Sequence, residues 1–212
     1  MSDATPENLG PALCEAVGRL AAQGLCRGTS GNFSARLSAD PLRLVLTRSG
    51  RDKSRLGPED LMVVDGEGAP ADGESGTPSA EALLHGVIAR HANAGAILHV
   101  HSPANTLLGM HFQDKGGFWV SGYEMLKGLE GVTTHDASVF VPVVRNSQDM
   151  EVIRAWLEPQ LAQTPGLRGF LIAGHGLYAW GADVAQAYRH VEIFEFLFEC
   201  LARRTSFGPF KG

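Results

Sequence analysis

The sequence has few cysteines, and none of them forms a recognisable pair. Cys14, Cys26 and Cys200 are the three in 212 residues. They make no C-x-x-C motif, and an odd number cannot all be joined in disulfides within one chain. We therefore expect reduced thiols, as is usual in cytosolic proteins. A catalytic cysteine is unsupported, because thiol reactivity requires a special electrostatic setting.

Long apolar runs and a strong charge of one sign are also missing. No run approaches the roughly 20 residues of a membrane span, and the first ten residues lack the basic and apolar regions of a signal peptide. The net charge of −5 gives no reason to expect binding to nucleic acid or to an anionic membrane. We expect a cytoplasmic protein, in which an anionic substrate would need local positive groups.

What is present is the composition of an ordinary globular domain. Apolar residues make up 44% of the chain and charged residues 19%, which is typical of folded proteins. A chain of this length can bury one full core, and no repeat or low-complexity linker divides it. We expect a single domain over residues 1–212.

Strand and helix patterns alternate along the chain. Short apolar runs with β-branched residues predict strands at 42–47, 61–65, 96–101, 139–144, 169–172 and 177–180. Apolar periodicity and capping residues predict helices within the first 25 residues, at 77–91 with Thr77-Pro78 as its start, from 103, from an N-cap at 146 or 147 to 161, and at 183–202. Several adjacent strands are joined by short turns, which excludes a purely parallel sheet. We predict an α/β fold with a mixed sheet covered by helices on both faces.

Two of the eight histidines lie one residue apart in a predicted strand. Because side chains alternate along a strand, His99 and His101 project from the same face. Together they can hold one metal ion, although a pair of buried polar histidines would fit the same motif. A catalytic zinc site needs a third protein ligand. The best candidate is His175, which stands between two glycines just past a predicted strand, and His135 is its rival.

The remaining histidines receive no ligand role. His85, His91 and His190 fall on predicted helices, where we expect a surface or packing role. His111 is expected in a loop.

Two turns and one serine near a helix start predict contacts to an anion; we call the two turns the anion turns. The turn at 28–32, Gly-Thr-Ser-Gly-Asn, offers free N–H groups and two hydroxyls. The pair Ser49 and Gly50, with Lys53, adds a positive charge. Ser79 lies near a predicted helix N-terminus, which favours anions. Each turn is weak evidence by itself because such turns are common, and the first fits neither nucleotide-binding glycine pattern.

Two carboxylates are candidates for a general acid or base. Glu124 lies beside the aromatic residues Phe118, Trp119 and Tyr123, and an apolar setting would raise its pKa towards a useful value. Glu81 is expected in the first turn of a helix, where an acidic residue complements the helix dipole. From the residues alone, this structural role outweighs a catalytic one for Glu81, and the two readings balance for Glu124.

Taken in order, these motifs resemble the class II aldolase/adducin family, over about residues 10–202. The matching segments are Gly-Thr-Ser-Gly-Asn at 28–32, Thr-Arg-Ser-Gly at 47–50, Pro-Ser-Ala-Glu at 78–81, His-Val-His at 99–101 and Gly-His-Gly at 174–176. The resemblance implies a three-layer α/β/α sandwich around a mixed, largely antiparallel sheet. It also implies a homo-oligomer, commonly a tetramer, with active sites at subunit interfaces.

The resemblance further implies roles for particular residues. His99, His101 and His175 would bind one Zn²⁺ per subunit. The turns that contain Gly31, Asn32, Ser49 and Gly50, helped by Ser79, would hold the phosphate of a ketose substrate. In the sugar-phosphate aldolases of this family, the position that matches Glu81 holds the catalytic acid/base.

Three segments resemble one branch of the family, dehydratases that act on a methylthio-substituted ketose phosphate in methionine salvage. They are Ser-Gly-Arg-Asp-Lys at 49–53, Tyr-Glu-Met-Leu-Lys-Gly at 123–128 and Gly-Leu-Tyr-Ala-Trp-Gly at 176–181. In that branch the glutamate matching Glu124 is the acid/base, and water is lost through a metal-stabilised enediolate; Glu81 stays an alternative. Two other readings remain open: an aldolase or epimerase acting on another sugar phosphate, and a non-catalytic adducin-like binding module.

Overall fold

An eight-stranded mixed sheet forms the centre of the computed structural model, which describes residues 5–204. Its strands are β1 (Asn32–Ala39), β2 (Leu42–Thr47), β3 (Leu61–Asp65), β4 (Ala96–Val100), β5 (Gly117–Ser121), β6 (Ser138–Val144), β7 (Gly169–Ile172) and β8 (Gly176–Gly181). They are arranged in the order β3-β2-β1-β4-β8-β7-β6-β5. Only β6 and β7 pair in parallel, and the other neighbouring pairs are antiparallel. The predicted mixed, largely antiparallel sheet is therefore confirmed.

Five helices cover the two faces of the sheet. They are α1 (Pro6–Ala22), α2 (Ala82–His91), α3 (Pro103–Phe112), α4 (Met150–Gln163) and α5 (Val184–Arg204). One apolar core joins the sheet to α1, α3 and α5, and a second joins it to α2 and α4. The result is the predicted three-layer α/β/α sandwich. Across residues 5–204, no helix has both the length and the apolar character that a bilayer crossing requires.

The six predicted strands agree with the structure to within one residue at each end. Two strands were not predicted. β1 continues directly from the glycine-rich turn and pairs with β2 and β4, and β5 contains the aromatic residues expected only to surround Glu124. Both are recognisable mainly through their pairing partners, which lie far away in sequence.

Two predicted helix starts are wrong. α2 begins at Ala82 rather than at residue 77, because the carbonyl of Thr77 accepts a hydrogen bond from the Ser49 amide and holds this segment against the turn at 49–50. α4 begins at Met150 rather than at 147 or 148, because Asp149 is the N-cap and its side chain accepts from the Glu151 amide. In both places a tertiary contact or a better cap outweighs the local pattern.

The register around β4 determines which side chains surround its end. β4 lies between β1 and β8, and His99 is opposite Asn32 on β1 and Tyr178 on β8. Leu98 and Val100, the neighbours of His99, point into the core on the α1, α3 and α5 side. His99 therefore points to the other face, towards α2.

Candidate active site

Three histidines from two places in the chain meet at one end of β4. His99 is near the end of that strand, His101 follows it, and His175 lies in the turn between β7 and β8. The Nε2 atom of His99 is 2.8 Å from that of His101 and 3.3 Å from that of His175. The three candidate ligand atoms all lie within 4.8 Å of one another. The structure thus brings together the three histidines predicted as ligands.

The donor set of these three residues, the His triad, fits a divalent metal. The Nδ1–H group of His99 donates to the Leu177 carbonyl over 3.0 Å, which leaves the Nε2 lone pair facing the other two rings. Burial lowers the pKa of His99 to about 3 and that of His101 to about 4, so both rings are neutral near pH 7. Neutral imidazoles with converging nitrogens are preferred ligands of zinc.

The rings of the triad need space that a glycine provides. A Cβ atom placed on Gly176 would lie 2.4 Å from the Val100 carbonyl oxygen, 2.8 Å from Cε1 of His99 and 2.9 Å from Cδ2 of His101. Backbone on one side and two rings on the other leave it no room. The glycine after His175 therefore permits the close approach of the ligand rings.

We predict that Gly176→Ala displaces the triad. The added methyl group should lower the free energy of unfolding by about 1–3 kcal/mol, as overpacking does in other cores, and should weaken the binding of a metal ion by the triad. Thermal melting and metal analysis of the purified variant measure both effects. Gly18→Ala in α1 is the control, since nothing lies within 4 Å of its added Cβ; equal metal content and stability in the two variants would contradict the prediction.

The triad opens into a cavity of about 270 Å³, which we call the triad cavity. His101 and His175 line it on one side. The residues predicted to contact an anion line the same cavity: Gly31, Asn32, Ser49, Gly50, Lys53 and Ser79. Two turns and Ser79, from separate parts of the chain, are therefore gathered beside the triad.

The side chain of Lys53 links these two turns by hydrogen bonds. Its side chain is buried, and its ammonium group donates to the carbonyls of Thr29 (3.1 Å) and Arg51 (3.0 Å). Burial lowers the pKa of Lys53. A cation at the junction of two turns with exposed N–H groups favours an anion in the cavity.

Glu81 lies beside the triad rather than in the first turn of a helix. It is the N-cap of α2, and its two carboxylate oxygens are 3.1 Å from His175 Nε2 and 3.3 Å from His99 Nε2. It accepts hydrogen bonds from Asn32 Nδ2 (2.8 Å) and the Tyr178 hydroxyl (2.5 Å). Burial would raise the pKa of Glu81, but the two histidines and the two hydrogen bonds outweigh it and lower the pKa to about 2. The expected position in the first turn of a helix is therefore wrong, and Glu81 instead faces two triad nitrogens.

Comparison with known proteins identifies the family. Residues 11–202 match the family model described as Class II Aldolase and Adducin N-terminal domain. The chain belongs to this family. The chain is also similar to the methylthioribulose-1-phosphate dehydratase of Xanthomonas campestris pv. campestris (strain 8004), with 47% identity over 185 residues, 87% of this chain and 83% of that protein. The same-named protein of Methylococcus capsulatus (strain ATCC 33009 / NCIMB 11132 / Bath) is 44% identical over 204 residues, 96% of this chain and 97% of that one.

Solved structures agree on the fold. The L-fuculose-1-phosphate aldolase of Thermus thermophilus superposes with a TM-score of 0.74 and 25% identity, over 98% of this chain and all of that chain (100%). A second L-fuculose 1-phosphate aldolase has a TM-score of 0.78 and 21% identity, over 99% of this chain and 92% of that chain. At this lower identity, the similarity supports the fold alone.

Glu124 does not have the apolar setting predicted for it. It begins a short 3-10 turn (Glu124–Gly128), its side chain is 69% exposed, and it pairs with Lys127. The hydrogen bond from Lys127 lowers the pKa of Glu124 instead of raising it. The reason is that Phe118 and Leu126 turn into the core, whereas Glu124 turns to solvent.

Glu124 is also distant from the triad of its own chain. It follows β5, which lies four strand positions from β4, or about 19 Å at the usual strand spacing. It is not among the residues that line the triad cavity. Within one chain, Glu81 is therefore the carboxylate at the site.

The other histidines divide into exposed and buried ones. His135 is exposed, 3.7 Å from Glu124, and lies outside the triad. His111 lies on α3 rather than in a loop. His85 and His190 are fully buried, which agrees with packing, one of the two roles expected for them, and His85 is also hydrogen-bonded to Asn32 in the wall of the triad cavity.

The cysteines match the expectation of free thiols. Burial raises the pKa of Cys26 to about 12, which leaves that thiol protonated and unreactive near pH 7.

Proposed function

We propose that this protein is a cytoplasmic, zinc-dependent hydro-lyase of methionine salvage. It converts 5-methylthioribulose 1-phosphate into 2,3-diketo-5-methylthiopentyl 1-phosphate and water. The observation that carries the proposal is the triad cavity, which His101 and His175 of the triad line together with all the predicted anion contacts, while His99 closes the cluster of three converging imidazoles behind them. Relatives of 42–47% identity named methylthioribulose-1-phosphate dehydratase support the choice of substrate.

His99, His101 and His175 would hold the zinc ion in this proposal. When bound, zinc supplies a Lewis acid that polarises the substrate carbonyl and stabilises negative charge on the adjacent oxygens. The Leu177 carbonyl keeps the Nε2 atom of His99 aimed at the metal position. Because the rings of His99 and His101 are neutral near pH 7, neither has to lose a proton before the metal binds.

The anion turns would hold the phosphate of the substrate. Backbone N–H groups of the turns at 28–32 and 49–53 donate to the phosphate oxygens, and the positive charge of Lys53 in the cavity wall balances the charge of the phosphate. Anchoring the phosphate places C3 and C4 of a small, flexible ketose near the triad. Such positioning converts random encounters into a reactive geometry.

A carboxylate must then move protons, taking one from C3 and giving one to the departing C4 hydroxyl. We assign this role to Glu124, with Glu81 as the alternative. Both oxygens of Glu81 already face imidazoles, and one of them accepts two hydrogen bonds. The Glu124 carboxylate is open to solvent, so it can meet a substrate held by another subunit.

Glu124 does not line the triad cavity of its own chain and follows β5, the strand at the edge of the sheet, so we infer that it reaches a triad cavity from a second copy of the chain. We therefore propose a homo-oligomer, as a tetramer, in which each cavity combines the triad of one subunit with Glu124 of its neighbour. Contacts of this kind, repeated head to tail, form a ring when the rotation between neighbouring subunits closes.

Aldol cleavage or epimerisation of another sugar phosphate is the second candidate. Glu81 favours it, because the carboxylate that matches the acid/base of the family's sugar-phosphate aldolases lies within 3.3 Å of two triad nitrogens. An adducin-like binding module has less support, since it would have no use for three converging imidazoles.

We expect metal-analysed protein to contain about one zinc per chain and to convert methylthioribulose 1-phosphate to the diketone phosphate. A chelator should stop the reaction and added zinc should restore it. The assay follows product formation, with fuculose 1-phosphate as a control for aldol cleavage. Protein that contains zinc but does not convert the substrate would refute the dehydratase and leave the second candidate. Protein that lacks both zinc and conversion would favour the binding module.

A further inference from the structure

A fully buried histidine lies directly behind the wall of the triad cavity. His85, on α2, has 0% of its surface exposed. Its Nδ1 atom is 2.7 Å from the Ser34 hydroxyl, and its Nε2 atom is 2.6 Å from Oδ1 of Asn32. His85 does not line the cavity, whereas Asn32 does.

Hydrogen-bond chemistry determines the direction of this network. A carboxylate oxygen accepts hydrogen bonds, so the Asn32 group that faces Glu81 at 2.8 Å is the amide nitrogen. Its Oδ1 atom must then face His85, and because an amide oxygen only accepts, the Nε2 atom of His85 must carry a proton. In a neutral ring, Nδ1 is left to accept from the Ser34 hydroxyl. Each donor thus points the same way, from Ser34 through His85 and Asn32 to Glu81.

The network leaves the Asn32 amide only one orientation. If the amide were flipped, its oxygen would face the oxygen of Glu81, and its NH₂ group could donate to His85 only after the ring proton moved from Nε2 to Nδ1. Held as it is, the amide presents N–H groups, and these can serve Glu81 and an anion in the cavity beside the Gly31 turn.

We propose that His85 is a positioning residue, which holds the Asn32 amide with its N–H groups directed to Glu81 and to the substrate phosphate. The proposal deepens the function given above, because it rests on the phosphate site in the triad cavity. His85 acts through Asn32 and touches neither the substrate nor the metal.

Two similar substitutions separate this role from simple packing. Asparagine at position 85 places its amide near the position of Nδ1, where it keeps a partner for Ser34 but no longer reaches Asn32. Glutamine is longer and can place an N–H donor near the position of Nε2. With zinc-loaded protein, we expect His85→Asn to raise both the KM for substrate and the Kd for inorganic phosphate about tenfold, the effect of one lost hydrogen bond to a binding group. His85→Gln should restore both constants to within about threefold of wild type.

Zinc content, melting temperature and kcat are measured on the same samples. A purely structural role would lower the melting temperature or the zinc content of both variants and would not separate Asn from Gln. His85→Asn with unchanged phosphate affinity, or equal losses in the two variants, would overturn the proposal. So would wild-type protein that binds no inorganic phosphate.

A measurement on the wild-type protein decides the matter if both variants fail to fold. Nitrogen-15 spectra of histidine-labelled protein should show His85 as a neutral ring with its proton on Nε2. A proton on Nδ1 would overturn the proposal. Phosphate binding without dehydration would refute the proposed function and leave the contrast between Asn and Gln intact, so the two failures are distinguishable.

Discussion

His101→Ala is expected to release the zinc ion and abolish turnover while the protein stays folded. His101 follows the end of β4 and is only partly buried, so its removal leaves the sheet and both cores in place. Two imidazoles do not make up the three protein ligands of a catalytic zinc site. We expect zinc below about one tenth of an ion per chain and activity reduced by at least about 10³-fold. Metal analysis, circular dichroism and the dehydratase assay measure the three properties.

His99→Ala should have the same effect on zinc and activity. It should also be less stable, because the buried His99 ring stacks on Tyr178 with 4.1 Å between ring centroids. The matched control is His111→Ala, which removes an exposed imidazole from α3. His135→Ala tests the rival ligand and should retain zinc. Full metal and full activity in His101→Ala would refute the assignment of the triad.

Glu124→Gln is expected to bind zinc and substrate but to turn over about 10²–10⁴-fold more slowly. The amide keeps the size of the side chain but cannot carry a proton to the leaving hydroxyl or take one from C3. Because Glu124 is exposed, stability should be unchanged. Steady-state kinetics should show the loss in kcat, with KM close to that of wild type. The control is Glu151→Gln, which changes a different exposed carboxylate, one on α4.

Mixed oligomers test whether Glu124 acts across a subunit interface. Neither Glu124→Gln nor His101→Ala subunits are expected to be active alone. Co-expressed in equal amounts, they should recover about one quarter of wild-type activity, because half of the cavities have an intact triad and half of those adjoin an intact Glu124. If the mixed oligomers recover no activity, His101 and Glu124 must act in the site of the same chain. Near-normal turnover in Glu124→Gln, with collapse in Glu81→Gln, would instead assign the acid/base to Glu81.

Short-range rules were sufficient for the parts of the site that lie within one element. The period of two along β4 predicted that His99 and His101 share a face, and their rings indeed lie 4.6 Å apart. The residues of the anion turns were also recognisable, since glycine, serine and asparagine adopt such turns readily. Their convergence on one cavity came from the resemblance to a family, because spacing along a chain does not measure distance between turns.

Long-range contacts explain the predictions that failed. The Pro78 pattern predicted a helix start, but the pairing of Thr77 with Ser49 postponed the helix to Ala82 and so placed Glu81 beside the triad. Aromatic neighbours in sequence predicted a buried Glu124, yet Phe118 points into the core and Glu124 does not. His85 was expected to be on the surface or in packing, and only the burial of nearly the whole of α2 between the sheet and α4 shows why it is hydrogen-bonded to the site.

The sequence by itself determined the class of the domain, most of its strands and the residue types of the site, because apolar periodicity, turn chemistry and ligand spacing act over a few residues. Only the tertiary structure decided which carboxylate lies at the triad and which amide His85 contacts. These depend on the register that sets His99 opposite Asn32 and Tyr178 and on the order of strands that separates β5 from β4. Register and strand order arise from packing of the whole core, in which residues far apart in sequence must be buried together.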